Sequence, residues 1–246
     1  ALAGVRDRPR QLVVTGAGGR RELALRSTGE QARAVAGAPP VTGERRGDVG
    51  IIRFSNSLGG NETIDAFVRA LQPLLDTRSL VIDLRNTPSG GNSTVARGVL
   101  GHFVSREHPY QVHVVPGEAR RYGVPRKFVE FVLPLEPAYR GQVVVLGGRW
   151  TGSMGEGLVI GFDAIGVQTA GSAMGHLLGA LFHETLAESG ATVELGEEQL
   201  FHVDGSPREA FVPRLHIEPA EAGPRGDPAL EAALRWLAMR GPRAVR

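Results

Sequence analysis

The sequence predicts an α/β protein with a largely parallel sheet. Short apolar runs with a β-branched bias recur along the chain, most are followed by apolar residues at helical spacing, and two of them end in glycine-rich turns. The 246 residues are enough for a self-sufficient core. Lys+Arg number 28 and Asp+Glu 26, giving a formal charge of +2, and no cysteine is present. Disulfides, thiolate metal sites and a cysteine nucleophile are thereby excluded. Lys127 is the only lysine, so 27 of the basic residues are arginine. They are spread along the chain, which argues against a nucleic-acid groove. No apolar run approaches the roughly 18 residues of a membrane span. Ala1 opens no signal segment, and a first residue other than Met leads us to expect further sequence upstream.

Taken in order, residues 1–45 are rich in Arg, Gly and Ala. Within them Leu12-Val13-Val14 and Leu23-Ala24-Leu25 flank Gly16–Gly19, which predicts a hairpin. A dinucleotide-binding turn is the rival reading of Gly16-Ala17-Gly18, but Arg21 stands where the third glycine belongs and no long helix follows before Pro39-Pro40. Val49–Phe54 reads as a strand, and Ile64, Phe67, Val68, Leu71, Leu74 and Leu75 as one face of a helix. Asn61-Glu62-Thr63 matches a glycosylation acceptor but has the better claim as the start of that helix. Leu80–Leu84 is the next strand, the turn 86–92 follows, and Val95, Val99, Leu100 and Phe103 mark a second helix. Gln142–Leu146 is a third strand, leading through Thr151-Gly152-Ser153 into a helix that ends near Gly166. Asp227-Pro228 opens a last amphipathic helix, with Asp as cap and Pro in the first turn.

Reacting groups in such sheets gather at the carboxyl ends of strands, where both glycine-rich turns fall. In Trp150–Gly157, Ser153 opens a helix between glycines, so its hydroxyl is accessible and first-turn N–H groups lie beside it. The geometry suits acyl transfer; the plain alternative is that Ser153 only caps the helix. The nucleophile elbow of the α/β-hydrolases would need glycine at position 151, where threonine stands. In the other turn, Gly90-Gly91 lets the backbone bend with its N–H groups outward, as an oxyanion hole requires; an ordinary strand-to-helix loop is the alternative. Asp83 and Arg85 read as a structural ion pair or cap, and Trp150 and Trp236 as core or interface residues.

The order Asp83-Leu84-Arg85…Pro88-Ser89-Gly90-Gly91, then an apolar strand and Thr151-Gly152-Ser153-Met154-Gly155-Glu156, resembles the tail-specific (carboxyl-terminal-processing) serine protease family. Residues 47–54 are similar to its opening strand, Asp204–Pro213 to its late segment and 227–234 to its closing helix. The resemblance implies a ClpP/crotonase-like spiral of β-β-α units over residues 46–246, with 1–45 as the tail of a PDZ-like domain plus linker. It implies Ser153 as nucleophile, the Met154 N–H and the Gly90/Gly91 turn as oxyanion donors, and Glu156 as an orienting or structural carboxylate.

A serine needs a base within reach. Many members of that family use a lysine in a Thr-x-Gly-Lys turn, but here the segment reads Gly171–Leu177 with His176, and no lysine follows Ser153. That puts the chain nearest to tricorn-like and retinoid-binding-protein-like members, which lack the Ser-Lys dyad. Three accounts stay open. His176 is the base, imidazole being suited to neutral pH. Alternatively an upstream histidine outside this sequence serves, with Glu209 as the late carboxylate. Or catalysis is lost, leaving a binding domain for peptide or an apolar ligand, lined by Met174–Phe182. The other histidines, at 102, 108, 113, 183, 202 and 216, show no zinc spacing, and neither metal nor cofactor is expected. The resemblance implies a polypeptide substrate cleaved near its C-terminus, and a bacterial, periplasmic or extracytoplasmic address. Nothing in the sequence bears on oligomeric state.

Overall fold

Apolar residues on both sides of Gly16–Gly19 close the expected hairpin. Its strands, β1 (Arg10–Gly16) and β2 (Gly19–Leu25), pair antiparallel in continuous register. The structure, a computed structural model, describes residues 10–16, 18–25, 39–218 and 226–240. Much of the N-terminal segment expected as a PDZ-like tail plus linker lies outside the described residues. Two compact units are present, Ala1–Ala38 and Pro39–Arg246. β3 (Val41–Arg46) pairs antiparallel with β4 (Val49–Phe54) within the larger unit.

Beyond β4 the chain forms α1 (Glu62–Leu71), β5 (Ser79–Asp83), α2 (Ser93–Leu100), β6 (His108–Val114), α3 (Pro116–Tyr122), β7 (Lys127–Val132) and β8 (Gln142–Gly147). Then come α4 (Met154–Ala164), β9 (Gln168–Gly171), β10 (Ala180–Thr185), β11 (Thr192–Phe201), β12 (Leu215–His216) and α5 (Pro228–Met239). A six-stranded sheet has the order β12-β9-β8-β5-β4-β3, parallel throughout except at the β3 edge. All five residues of β5 are buried, as a central parallel strand covered on both faces demands.

Successive residues of these strands point to opposite faces, and the register aligns them into rows. Ile52, Ile82 and Val145 form one row, in the larger core with Phe67 and Leu71 of α1, Val95 and Val99 of α2, and Leu158 and Phe162 of α4. Ile51, Val81 and Val144 form the next row, on the other face, where Leu230, Ala233 and Leu237 of α5 cover them. Asn61 precedes α1 as expected, but its side chain makes no cap bond; Asp227 does cap α5, accepting from Leu230 N–H at 3.1 Å.

The second sheet is a correction to the expected alternation. Its order is β10-β11-β6-β7, antiparallel, and it packs against α4 through β6. Its strands carry His, Gln and Glu among the apolar residues, so they lack the continuous run that marks a buried parallel strand.

Candidate active site

The two glycine-rich turns meet. Thr87 and Thr151 form a parallel bridge: Thr87 N–H donates to the Trp150 carbonyl, and Gly152 N–H to the Thr87 carbonyl, both at 3.1 Å. The Thr87 and Thr151 hydroxyls both donate to the Leu84 carbonyl at 2.8 Å, tying the ends of β5 and β8 together. Gly90 is buried at φ +63°, and a Cβ there would stand 2.5 Å from Ser153 Cβ, 2.6 Å from Met154 N and 2.9 Å from Ser153 Oγ. Only a residue without a side chain allows the turn to lie flush on the serine.

Ser153 itself has φ 52° and ψ −122°, a strained conformation for a residue with a side chain, at a sharp strand-to-helix turn. The helix start carries a Ser-x-x-Glu capping box. Its firm arm is Glu156 Oε2, which accepts the Ser153 N–H at 2.9 Å, while the Glu156 N–H bonds the Ser153 carbonyl at 3.0 Å. The half-buried hydroxyl is therefore not the principal cap. Among the described residues, the N–H groups of Met154 and Gly91 meet no acceptor, whereas the Gly90 N–H is engaged with the Thr87 carbonyl at 3.1 Å. Of the two turn glycines, then, Gly91 has the uncommitted donor.

Glu156 is fully buried and gathers the site around one carboxylate. Besides Ser153 N–H it accepts Leu177 N–H, with both oxygens 3.3 Å away, and the His176 N–H is turned to it as well. Burial pushes its pKa up, against the pull of Arg208 and these N–H groups. Arg208 Nη2 stands 4.0 Å from Glu156 Oε2, with both side chains 1% exposed. The same Nη2 donates to the carbonyls of Leu177, at 2.8 Å, and Gly179, at 3.1 Å.

His176 lies exposed on this loop at φ 56°. Its Nδ1 is 2.5 Å from the main-chain carbonyl oxygen of Glu209. A carbonyl only accepts, so Nδ1 carries a proton, and in the neutral ring the lone pair is on Nε2. Glu209 thus meets His176 through its backbone; its carboxylate makes no hydrogen bond to the ring among the described residues. Gly175 N–H donates to the Thr151 carbonyl at 2.8 Å, anchoring the His176 loop one residue from Gly152.

Other residues singled out by sequence lie elsewhere. Arg85 forks between Asp83 and Asp227, 2.6 Å from a carboxylate oxygen of each, so the expected ion pair is structural and joins β5 to α5. Burial alone would lower the Arg85 pKa, but the two carboxylates raise it. Lys127 is exposed at the start of β7. Trp150 is 59% exposed and so not a core residue. In the stretch 174–182, expected as the lining for an apolar ligand, Met174 is buried, but Leu177, Leu178, Leu181 and Phe182 are exposed on the loop and on the edge strand β10. Arg208 escaped sequence reading altogether. An arginine between Pro207 and Glu209 reads as one more solvated charge until the fold buries it.

The fold and the two converging turns define an α/β protein with a strained serine at a strand-to-helix turn. The chain belongs to peptidase family S41, whose sequence pattern matches residues 48–173, just over half of it. No curated protein matches the sequence. Among solved structures, the photosystem II D1 C-terminal processing protease is similar with a TM-score of 0.66 at 18% identity, covering 94% of this chain and 60% of that one. A lipoprotein from Streptococcus agalactiae gives 0.62 at 17% identity, over 85% and 72%. Mature CPAF gives 0.58 at 14%, over 84% and 62%. At these identities the likeness is one of fold, and the chain spans about three fifths to three quarters of those proteins.

Proposed function

We propose that the protein is a serine peptidase that cleaves polypeptide near its C-terminus, with Ser153 as nucleophile and His176 as base. The observation that carries this is the single buried carboxylate of Glu156, which holds the Ser153 N–H on one side and the His176–Leu177 main chain on the other. Membership of family S41 supports peptide hydrolysis, and the likeness to a C-terminal processing protease supports the end of the chain as the target.

In the proposed reaction His176 Nε2 takes the hydroxyl proton as Ser153 Oγ attacks the scissile carbonyl. The resulting oxyanion lies against the Met154 and Gly91 N–H groups, with Gly90 packed between turn and serine. The imidazolium then protonates the leaving amine, and the C–N bond breaks to give an acyl ester on Ser153. Water, deprotonated by the same nitrogen, releases the carboxylic product and restores the serine. Glu209 acts through its carbonyl, fixing the tautomer that leaves Nε2 basic. The exposed Leu177, Leu178 and Leu181 beside the histidine suit an extended substrate with apolar side chains.

Incubation with a fluorophosphonate probe tests the proposal. Labelling is expected at Ser153, absent in Ser153→Ala, and at least 100-fold slower in His176→Gln, in line with the roughly 10²–10⁴-fold worth of a general base. A folded full-length protein that takes no label at Ser153 would instead be a catalytically silent binding domain. Wild-type labelling in His176→Gln would move the base elsewhere, as an upstream histidine requires.

A further inference from the structure

We propose that Arg208 is the positioning residue of this site, its buried guanidinium holding the His176 loop in register with Ser153. The inference rests on the reading of Ser153 and His176 as the reacting pair. An arginine 1% exposed is rare, since removing the cation from water costs more than most pairings return. Here its one carboxylate partner is 4.0 Å away, and its Nε meets no acceptor among the described residues. Stability alone would favour an apolar side chain of this size.

What the guanidinium does accomplish is specific to the loop. Residues 172–179 contain no helix or strand, His176 and Leu178 are exposed and Leu177 is only partly covered, over Gly152, so apolar packing alone does not fix residues 176–178. The loop is held by four polar attachments. Gly175 N–H donates to the Thr151 carbonyl, Leu177 N–H to Glu156, Arg208 to the Leu177 and Gly179 carbonyls, and His176 Nδ1–H to the Glu209 carbonyl. Three of the four therefore end on Glu156 in the first turn of α4 or on the short 3-10 turn Arg208–Ala210. Arg208 joins those two supports, because it faces Glu156 and directly precedes Glu209. Without it, two loop carbonyls lose their donor and Glu156 is left as a lone buried charge beneath the Ser153 N–H. Both halves of the reacting pair then shift at once, and displacements of about 1 Å cost catalysis on the order of 100-fold.

The test compares the full chain with Arg208→Met, Arg208→Lys and the double variant Glu156→Gln/Arg208→Met. The readouts are the fluorophosphonate labelling rate at Ser153 as a function of pH, peptide kcat and KM, and the urea midpoint. In Arg208→Met, labelling and kcat are expected to fall on the order of 100-fold with KM little changed. Arg208→Lys keeps the charge but not the fork, and is expected to recover part of the rate. The double variant removes the lone charge, so it is expected to regain the midpoint but not the labelling rate. A folded Arg208→Met that labels at the wild-type rate overturns the proposal, as does a double variant that regains both. If Arg208→Met does not fold, Arg208→Lys decides: a slowed rate with an altered pH profile supports positioning, and wild-type behaviour overturns it. A wild-type chain unlabelled at Ser153 sinks the parent reading, and this one with it; labelled wild type with indifferent Arg208 variants sinks this one alone.

Discussion

A left-handed serine pressed against a left-handed glycine carries the chemistry proposed for this chain, and the serine's conformation costs stability. Ser153 at φ 52° is strained in a way glycine would not be. Ser153→Gly is therefore expected to be more stable than Ser153→Ala, by about 1 kcal/mol in urea unfolding, although both variants lose the hydroxyl. Gly90 has the opposite constraint, since any Cβ there meets Ser153 and Met154 N within 2.6 Å. Gly90→Ala should cost about 1–2 kcal/mol for the positive φ and push the turn off the serine. Slower fluorophosphonate labelling in a still-folded protein is the expected sign; an unchanged labelling rate would separate the turn from the reaction. Residue types made the serine and the glycines legible in sequence. Arg208 was not, because a lone arginine carries no sign of its own burial.

Among the elements, the antiparallel sheet stands on a polar network against α2 and α4. His113 lies between Glu198, 2.9 Å away, and Glu130, 3.4 Å away, and stacks on Phe128. Glu130 also takes Arg97 of α2 at 2.9 Å and the Tyr110 hydroxyl. Burial alone would raise the Glu130 pKa, but hydrogen bonds from His113, Tyr110 and Ser93 hold it at about 2. Burial alone would lower the His113 pKa, but the two carboxylates raise it. The Glu130 contribution to stability is thus present above the ordinary 4.5 and lost as pH falls from there towards about 2. The His113 contribution is present below the ordinary 6.5 and lost as pH rises through its elevated value. The network's part of the stability should therefore be greatest between about pH 4.5 and 6.5. A series of thermal melts should show the fall above that window flattened in His113→Gln, and Glu130→Gln should cost about 3 kcal/mol at neutral pH. The strands of this sheet were hidden in sequence because buried polar residues, Gln111 and His113, interrupt the apolar ones, Tyr110, Val112, Val132 and Leu200.

For the molecule as a whole, the six-stranded sheet separates two cores. α4 and the serine belong to one face, and α5 packs on the other. Truncating Leu230 or Leu237, both nearly fully buried under α5, should cost about 2–5 kcal/mol each. The labelling rate of Ser153 in the folded fraction should stay near wild type, since the sheet stands between. Arg85 is the exception that spans both, because its fork links Asp83 at the end of β5 with the cap of α5. Arg85→Met is expected to lower stability by about 3 kcal/mol and to loosen the Gly90 turn that follows β5, visible as slower labelling.

Local spacing along the chain was enough to read the β-α alternation of the six-stranded sheet, the two glycine turns, the capped closing helix and the serine at a helix mouth. Each of these is written in local spacing: period-two and period-3.6 apolar patterns, and residues suited to turns and caps. It took the packing of distant segments to spend the Gly90 N–H within its own turn and to make Glu209 offer a carbonyl in place of its carboxylate. The same packing makes the ion pair beneath the site from residues 52 positions apart, Glu156 and Arg208. Those outcomes depend on which groups lose water when distant segments meet, and no local pattern encodes that.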